Sequence, residues 1–209
     1  MINFSMDSLS NKIRELLDFE DKVAHYFNSG KIKAPVQLSN GGEKELINIF
    51  SNIRHEDYVF TTWRSHYHAL LKGIDQDLLF REILDGNSIS LNFPESNFYS
   101  SAIAATHLPL AVGAAYGIKM KNSSQKVWCF IGDMTAESGI ANTSIKYAFK
   151  HDLPVTFVIE DNNLSVCSDT RLVWNTQELS YSNAEFTNVI TYQYVSKYPH
   201  SGAGERVQF

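Results

Sequence analysis

The chain has 209 residues, 44% of them hydrophobic, and a net charge of −5. That length and composition suit one α/β domain with a sizeable core. Lys and Arg are scattered over an acidic background, which argues against a nucleic-acid partner, and no apolar run reaches membrane-spanning length. Residues 1–10 have neither the basic start nor the apolar run of a secretory signal. With only two cysteines, Cys129 and Cys167, no disulfide framework is expected, and a cytoplasmic location is the simplest expectation.

Ser8 or Ser10 can cap a first helix that runs to about Phe27, with Ile13, Leu16, Leu17, Val23 and Phe27 on its apolar face and Gly30 beyond its end. Residues 31–42 read as loop and 43–53 as a second helix. Residues 57–62 lead into Trp63-Arg64-Ser65-His66-Tyr67-His68, and a further helix spans 75–84. Residues 87–101 look irregular. The stretch 102–117 is rich in small residues. Its Gly113 and Gly117 would suggest membrane packing only inside an apolar 20-mer, and Lys119 and Lys121 follow at once, so a tightly packed helix is expected.

Two apolar runs come next, Val127–Met134 and Pro154–Asn163, with a helical stretch over 136–151 between them. A short helix past Asp169, a last strand over 188–194 and an extended tail over 195–209 complete the chain. No repeat or linker is visible, so residues 1–209 are read as one domain. The expected fold class is α/β, a mainly parallel sheet flanked by helices.

A strand–helix–strand crossover makes the two runs parallel and opens their polar ends on one sheet edge. Asp133 and Asn162 can then meet. One carboxylate, one amide oxygen and a nearby backbone carbonyl suit Mg²⁺ held together with a phosphate. Each residue alone has a plainer reading: an Asp after a strand caps the next helix, and Asn is favoured in turns. The amides of Met134 and Thr135, at a helix start, can bind phosphate, and Arg64 can hold another phosphate oxygen.

The spacing carries a resemblance. Gly132-Asp133, then Thr135 to Glu160 as 26 intervening residues, then Asp161-Asn162, resembles the thiamine diphosphate signature. Gly139 and Pro154 match the alpha subunits of 2-oxo-acid dehydrogenases of the pyruvate and acetoin type. So do Asp57-Tyr58-Val59-Phe60, Arg64, Leu71-Lys72-Gly73, Asn97-Phe98-Tyr99 and Ala105 to Gly113. The similarity covers about residues 40 to 170.

The resemblance implies thiamine diphosphate and Mg²⁺ as cofactors. Asp133, Asn162 and the Leu164 carbonyl would ligate the metal; the spacing selects Asn162 over Asn163. Trp63, Arg64, Gly132, Met134 and Thr135 would meet the diphosphate, and the backbones of Ala102 and Ala104 the aminopyrimidine. His66 and His107 are candidate catalytic residues. For His68 and His151 a packing or surface role is the stronger reading, and for Glu137 a role at a helix start is at least as good as catalysis.

The implied activity is decarboxylation of a 2-oxo acid such as pyruvate and transfer of its two-carbon unit. A beta subunit with a pyrimidine-binding domain would supply the activating glutamate, in an α2β2 assembly. Two other readings stand beside this one: half of a split, transketolase-like ketol transferase acting on a ketose, and a non-catalytic structural or regulatory homologue. Two departures motivate the last. Met134 replaces the third residue of Gly-Asp-Gly, and the family's His- and Ser-bearing loop, which helps cover the diphosphate, is not visible after Leu164.

Overall fold

The computed structural model describes residues 6–181, 186–202 and 207–209. The chain opens with α1 (Met6–Asn28) and α2 (Glu43–Phe50), then β1 (Tyr58–Thr61), α3 (His66–Leu71) and α4 (Gln76–Leu84). Two short strands follow, β2 (Asn92–Phe93) and β3 (Phe98–Ser100), then α5 (His107–Met120) and β4 (Val127–Gly132). After β4 come a single turn α6 (Asp133–Ala136), α7 (Gly139–Lys150) and β5 (Val155–Asp161). A small hairpin of β6 (Leu164–Ser165) and β7 (Ser168–Asp169), a short α8 (Thr170–Trp174) and β8 (Val189–Gln193) end the regular structure.

Six strands form one sheet in the order β2-β3-β1-β4-β5-β8, and every neighbouring pair except β2 with β3 is parallel. This is the mainly parallel α/β architecture expected from the alternation of apolar runs and helices. Strand residues alternate between the two faces. Trp128, Phe130 and Val158 join a core with Leu16, Phe19 and Val23 of α1, Leu46 and Ile47 of α2 and Leu79 of α4. Cys129, Ile131, Phe157 and Ile159 point the other way, against Leu108, Ala111 and Ala115 of α5 and Ile145 of α7.

Several boundaries differ from expectation for local reasons. The stretch read as one helix over 136–151 is broken. Ser138 is extended and its hydroxyl accepts the Ala141 N–H at 3.2 Å, so it caps a helix that starts at Gly139. Residue 105 holds a left-handed φ of 67°, which delays α5 to His107. The helix at 43 stops at Phe50, where the Ser51 and Asn52 side chains donate to the Asn48 carbonyl and compete with the helical ladder. Residues 87–101 are not irregular; β2 and β3 are too short for alternation to reveal them. In the tail, Asn28 exchanges hydrogen bonds with the Phe209 backbone at 3.0 and 3.1 Å, and the Phe27 and Phe209 rings lie 5.0 Å apart. Residues 203–206 of the expected tail and 1–5 of the N-terminal stretch lie outside the described residues. Among the described residues no helix is long and apolar enough to cross a membrane.

Strand β1 lies between β3 and β4, so the chain leaves it in one direction and returns on its other side. The connecting helices pack on opposite faces. Such a reversal opens a crevice at the carboxyl ends of the strands, where α/β proteins bind ligands.

Candidate functional site

A cleft of about 660 Å³, counting its open mouth, occupies that crevice. Trp63 and Arg64 reach it from the end of β1, Gly132 to Thr135 from the end of β4, and Asn162 and Leu164 from the end of β5. Eight residues singled out from the sequence thus line one cleft. Ser39 and Gly42, from the loop before α2, and Tyr192 and Tyr194, from β8 and just beyond, close it.

Asp133 is 1% exposed, and its Oδ2 has no hydrogen-bond partner. Burial, with the neighbouring Asp161, pushes its carboxyl up to about 6, against the pull of the Thr170 hydroxyl beside it. Its nearest cation is Arg171 Nη1, 4.0 Å from Oδ2 and itself bonded to Asp161. A buried carboxylate oxygen without a hydrogen bond is costly, and a closer cation lowers the cost. Asn162 lines the same cleft, its Oδ1 accepting the Leu164 N–H at 3.1 Å. Asn163 turns the chain with a left-handed φ of 60° and faces away, its amide donating to Asp169 at 2.6 Å and accepting from Arg171 at 3.0 Å. The geometry therefore separates the two adjacent asparagines, with only Asn162 on the cleft.

Asp161 points to the opposite side of β5 from the cleft wall. Burial opposes its ionisation. Two hydrogen bonds from Arg171, at 2.5 and 2.6 Å, and one from Gln193 at 3.1 Å outweigh that and hold its carboxyl below the ordinary value. Among the described residues no group of three His, Cys, Asp or Glu side chains converges as a metal set. One carboxylate, one amide oxygen and the carbonyl of Leu164 make a hard-oxygen donor set, which fits Mg²⁺ completed by phosphate oxygens and water. Met134 lies in α6 with a negative φ, so the backbone does not need glycine there. Its sulfur accepts a hydrogen bond from the Trp174 indole at 3.1 Å.

The opposite wall holds residues that sequence reasoning missed. Glu160 lines the cleft, takes a 2.5 Å hydrogen bond from the Tyr192 hydroxyl and lies 3.2 Å from Nε2 of His68. His68 packs edge-on against Phe130 and Phe50, in keeping with a packing role, yet it also lines the cleft. One signal was available. Glu160 shares the parity of Val158, so alternation in β5 puts it on the α1–α4 face of the sheet.

The two histidines expected to be catalytic do not reach the cleft. His66 is fully buried, its Nε2 2.9 Å from the Ser88 hydroxyl and its Nδ1 3.4 Å from Glu20. His107 is buried at the start of α5 with Nε2 2.9 Å from the Phe130 carbonyl, and burial lowers its pKa. Both are held by the core next to the site. Ala102 lies past β3 on a second, adjoining cavity with Trp63 and His200; Ala104 is exposed and lines neither. Glu137 holds Ser180 through its backbone N–H at 2.8 Å and its hydroxyl at 2.6 Å.

His200 also went unread in the sequence. It lies edge-on to Trp63 at 6.1 Å, within 3.4 Å of Gln37, and its Nδ1 is buried without a partner. Ser201 beside it is buried and bonded to Val36 and Gln37. A His-Ser pair therefore lines the adjoining cavity, which shares Trp63 with the cleft.

Comparison with known proteins bears on these residues directly. Residues 11–185 match the family described as the dehydrogenase E1 component. The chain is 29% identical over 166 residues to the pyruvate dehydrogenase E1 component subunit alpha of Porphyra purpurea, an alignment covering 71% of this chain and 48% of that protein. It is 29% identical over 161 residues to the acetoin:2,6-dichlorophenolindophenol oxidoreductase alpha subunits of Cupriavidus necator and Bacillus subtilis, covering 72% of this chain and 48% of each. The chain spans about half the length of the curated relatives it matches. The matched segment includes β1, β4, β5 and every cleft residue singled out from the sequence, and on that match the chain belongs to the dehydrogenase E1 component family.

Proposed function

We propose that the chain is the alpha subunit of a heteromeric 2-oxo-acid dehydrogenase-type enzyme and holds Mg²⁺ and thiamine diphosphate in this cleft. The observation that carries the reading is the buried Oδ2 of Asp133, without a hydrogen bond and with only the distant Arg171 guanidinium at 4.0 Å, in one cleft with Asn162 and Leu164. Asp133, Asn162 and the Leu164 carbonyl hold the metal. Arg64 takes a diphosphate oxygen as a charge-assisted donor, with the Met134 and Thr135 amides beside it. When bound, the cofactor supplies the carbanion chemistry. The residues of this chain bind and orient it and keep water from one side. The substrate class is a 2-oxo acid such as pyruvate, losing CO₂ and passing on its two-carbon unit; the names of the relatives support that class.

The activating glutamate comes from a beta subunit with a pyrimidine-binding domain, in an α2β2 assembly. Supporting this, α5 buries Leu108, Ala111, Ala115 and Ile118 within the chain but leaves Leu110 62% and Met120 66% exposed, with Ile140 of α7 50% exposed nearby. The small residues that would allow close helix approach are not all used internally: a Cβ placed on Gly113 or Gly117 meets nothing within 4 Å.

The direct test is Asp133→Ala. The variant is expected to lose Mg²⁺-dependent retention of thiamine diphosphate in equilibrium dialysis while keeping its fold by circular dichroism. Retention equal to that of the unsubstituted chain would rule out Asp133 as the ligand.

A further inference from the structure

Glu20 sits on the apolar face of α1, among Leu16, Phe19 and Val23, and is fully buried. A carboxylate there requires specific partners, and it has them. Both oxygens accept the Ser39 backbone N–H, at 2.8 and 2.9 Å, and Oε1 lies 3.4 Å from Nδ1 of His66. Ser39 and His66 flank Arg64 on two sides. The Ser39 hydroxyl donates to the Arg64 carbonyl at 3.3 Å, and Arg64 returns a 2.8 Å hydrogen bond from Nη1 to the carbonyl of Leu38. His66 follows Arg64 by two residues and starts α3, with its other ring nitrogen tied to Ser88. The Tyr67 hydroxyl, raised well above its ordinary pKa by burial and then by Glu20 and Glu43, faces the same group.

The segment 31–42 has no regular structure to fix it. Gln37 and Ser201 tie its first half to the chain after β8, and Gly41 lies against Val195. At Ser39, next to the Leu38 carbonyl that holds Arg64, the buried side-chain tie is Glu20. Arg64 has five donors, of which one is tied to Leu38, while its side chain lines the cleft beside Trp63. We propose that Glu20 is a positioning residue for the anion-binding end of the cleft, setting Arg64 through Ser39 on one side and His66 on the other. The proposal rests on the function proposed above and deepens it: Glu20 touches no ligand, and its effect on cofactor affinity passes entirely through Arg64.

A double-mutant cycle tests this. The full protein, with any chain that co-purifies with it, is titrated with Mg²⁺ and thiamine diphosphate by calorimetry as the unsubstituted form, Glu20→Gln, Arg64→Lys and the double variant. Glu20→Gln is expected to weaken binding roughly tenfold. The double variant is expected to bind no more weakly than Arg64→Lys alone, because the two residues act as one unit. Unchanged affinity in Glu20→Gln, or losses that simply add, would overturn the proposal; additive loss is what general destabilisation gives. If Glu20→Gln does not fold, Glu20→Asp keeps the charge at shorter reach and is expected to show the same non-additivity with a smaller loss. Absence of binding by the unsubstituted protein would instead contradict the proposed function, and this inference with it.

Discussion

At the scale of single residues, two adjacent asparagines have opposite duties. Asn162 faces the cleft, whereas Asn163 holds a left-handed turn and pins the hairpin to α8 through Asp169 and Arg171. Asn162→Ala is therefore expected to weaken cofactor retention by at least about tenfold with little change in stability. Asn163→Ala is expected to cost about 1 kcal/mol or more of stability, because alanine pays for φ > 0 and loses all three side-chain bonds, one to Asp169 and two from Arg171. Dialysis against labelled cofactor and urea unfolding separate the two outcomes; the reverse pattern would assign the ligand to Asn163. Asp133 and Asn162 were legible in the sequence because each stands at the end of an apolar run that can only be a buried strand. His66 was legible as a neighbour of the site but not in its direction. A residue at the first turn of a helix can face cleft or core, and Glu20, 46 positions earlier, decides for the core.

At the scale of elements, the loop before α2 is locked by the end of β8. Gly41 has a φ of 128°, and a Cβ there would lie 2.1 Å from the Val195 carbonyl. Tyr192 and Tyr194 pack against Gly42 from the same side. Gly41→Ala is expected to destabilise the protein by about 3 kcal/mol, from overpacking together with a disfavoured φ. Equal urea midpoints for the two forms would refute this account of the contact. None of it could be read from Gly41-Gly42 alone, since the partner lies some 150 residues later.

Helix α5 is tied to β4 by His107 and the Phe130 carbonyl. Burial lowers the His107 pKa below its ordinary 6.5. The sign follows by linkage. The unfolded chain takes up a proton below about pH 6.5 that the folded chain refuses, so this contribution is complete above that pH and is lost as pH falls. His107→Gln removes the titration. The stability of the unsubstituted protein is expected to drop more than that of the variant between pH 7.5 and 5.5 (roughly one unit either side of the ordinary histidine value); parallel pH dependences would contradict it.

At the scale of the whole molecule, one topological fact assembles the site. Strands β1, β4, β5 and β8 run parallel, so segments far apart in sequence deliver Arg64, Asp133, Asn162 and Tyr194 to one edge. The alternating strands and helices made that edge foreseeable, and with it the meeting of Asp133 and Asn162. What the sequence concealed is the far wall. Ser39 comes to the cleft, and His200 to the cavity beside it, through packing between α1, the loop before α2 and the residues after β8, and no local pattern encodes such contacts. The family match adds to this frame without replacing it, because the chain corresponds to about half of the relatives it resembles. The exposed faces of α5 and α7 are the proposed contact for a second subunit.

The central claim is that the cleft holds Mg²⁺ and thiamine diphosphate together. Calorimetric titration of the protein, with any co-purifying chain, by thiamine diphosphate in the presence and absence of Mg²⁺ tests it most directly. Saturable binding at one site per chain that disappears when Mg²⁺ is removed is the expected result. Absence of binding with Mg²⁺ present, or binding indifferent to the metal, would contradict it.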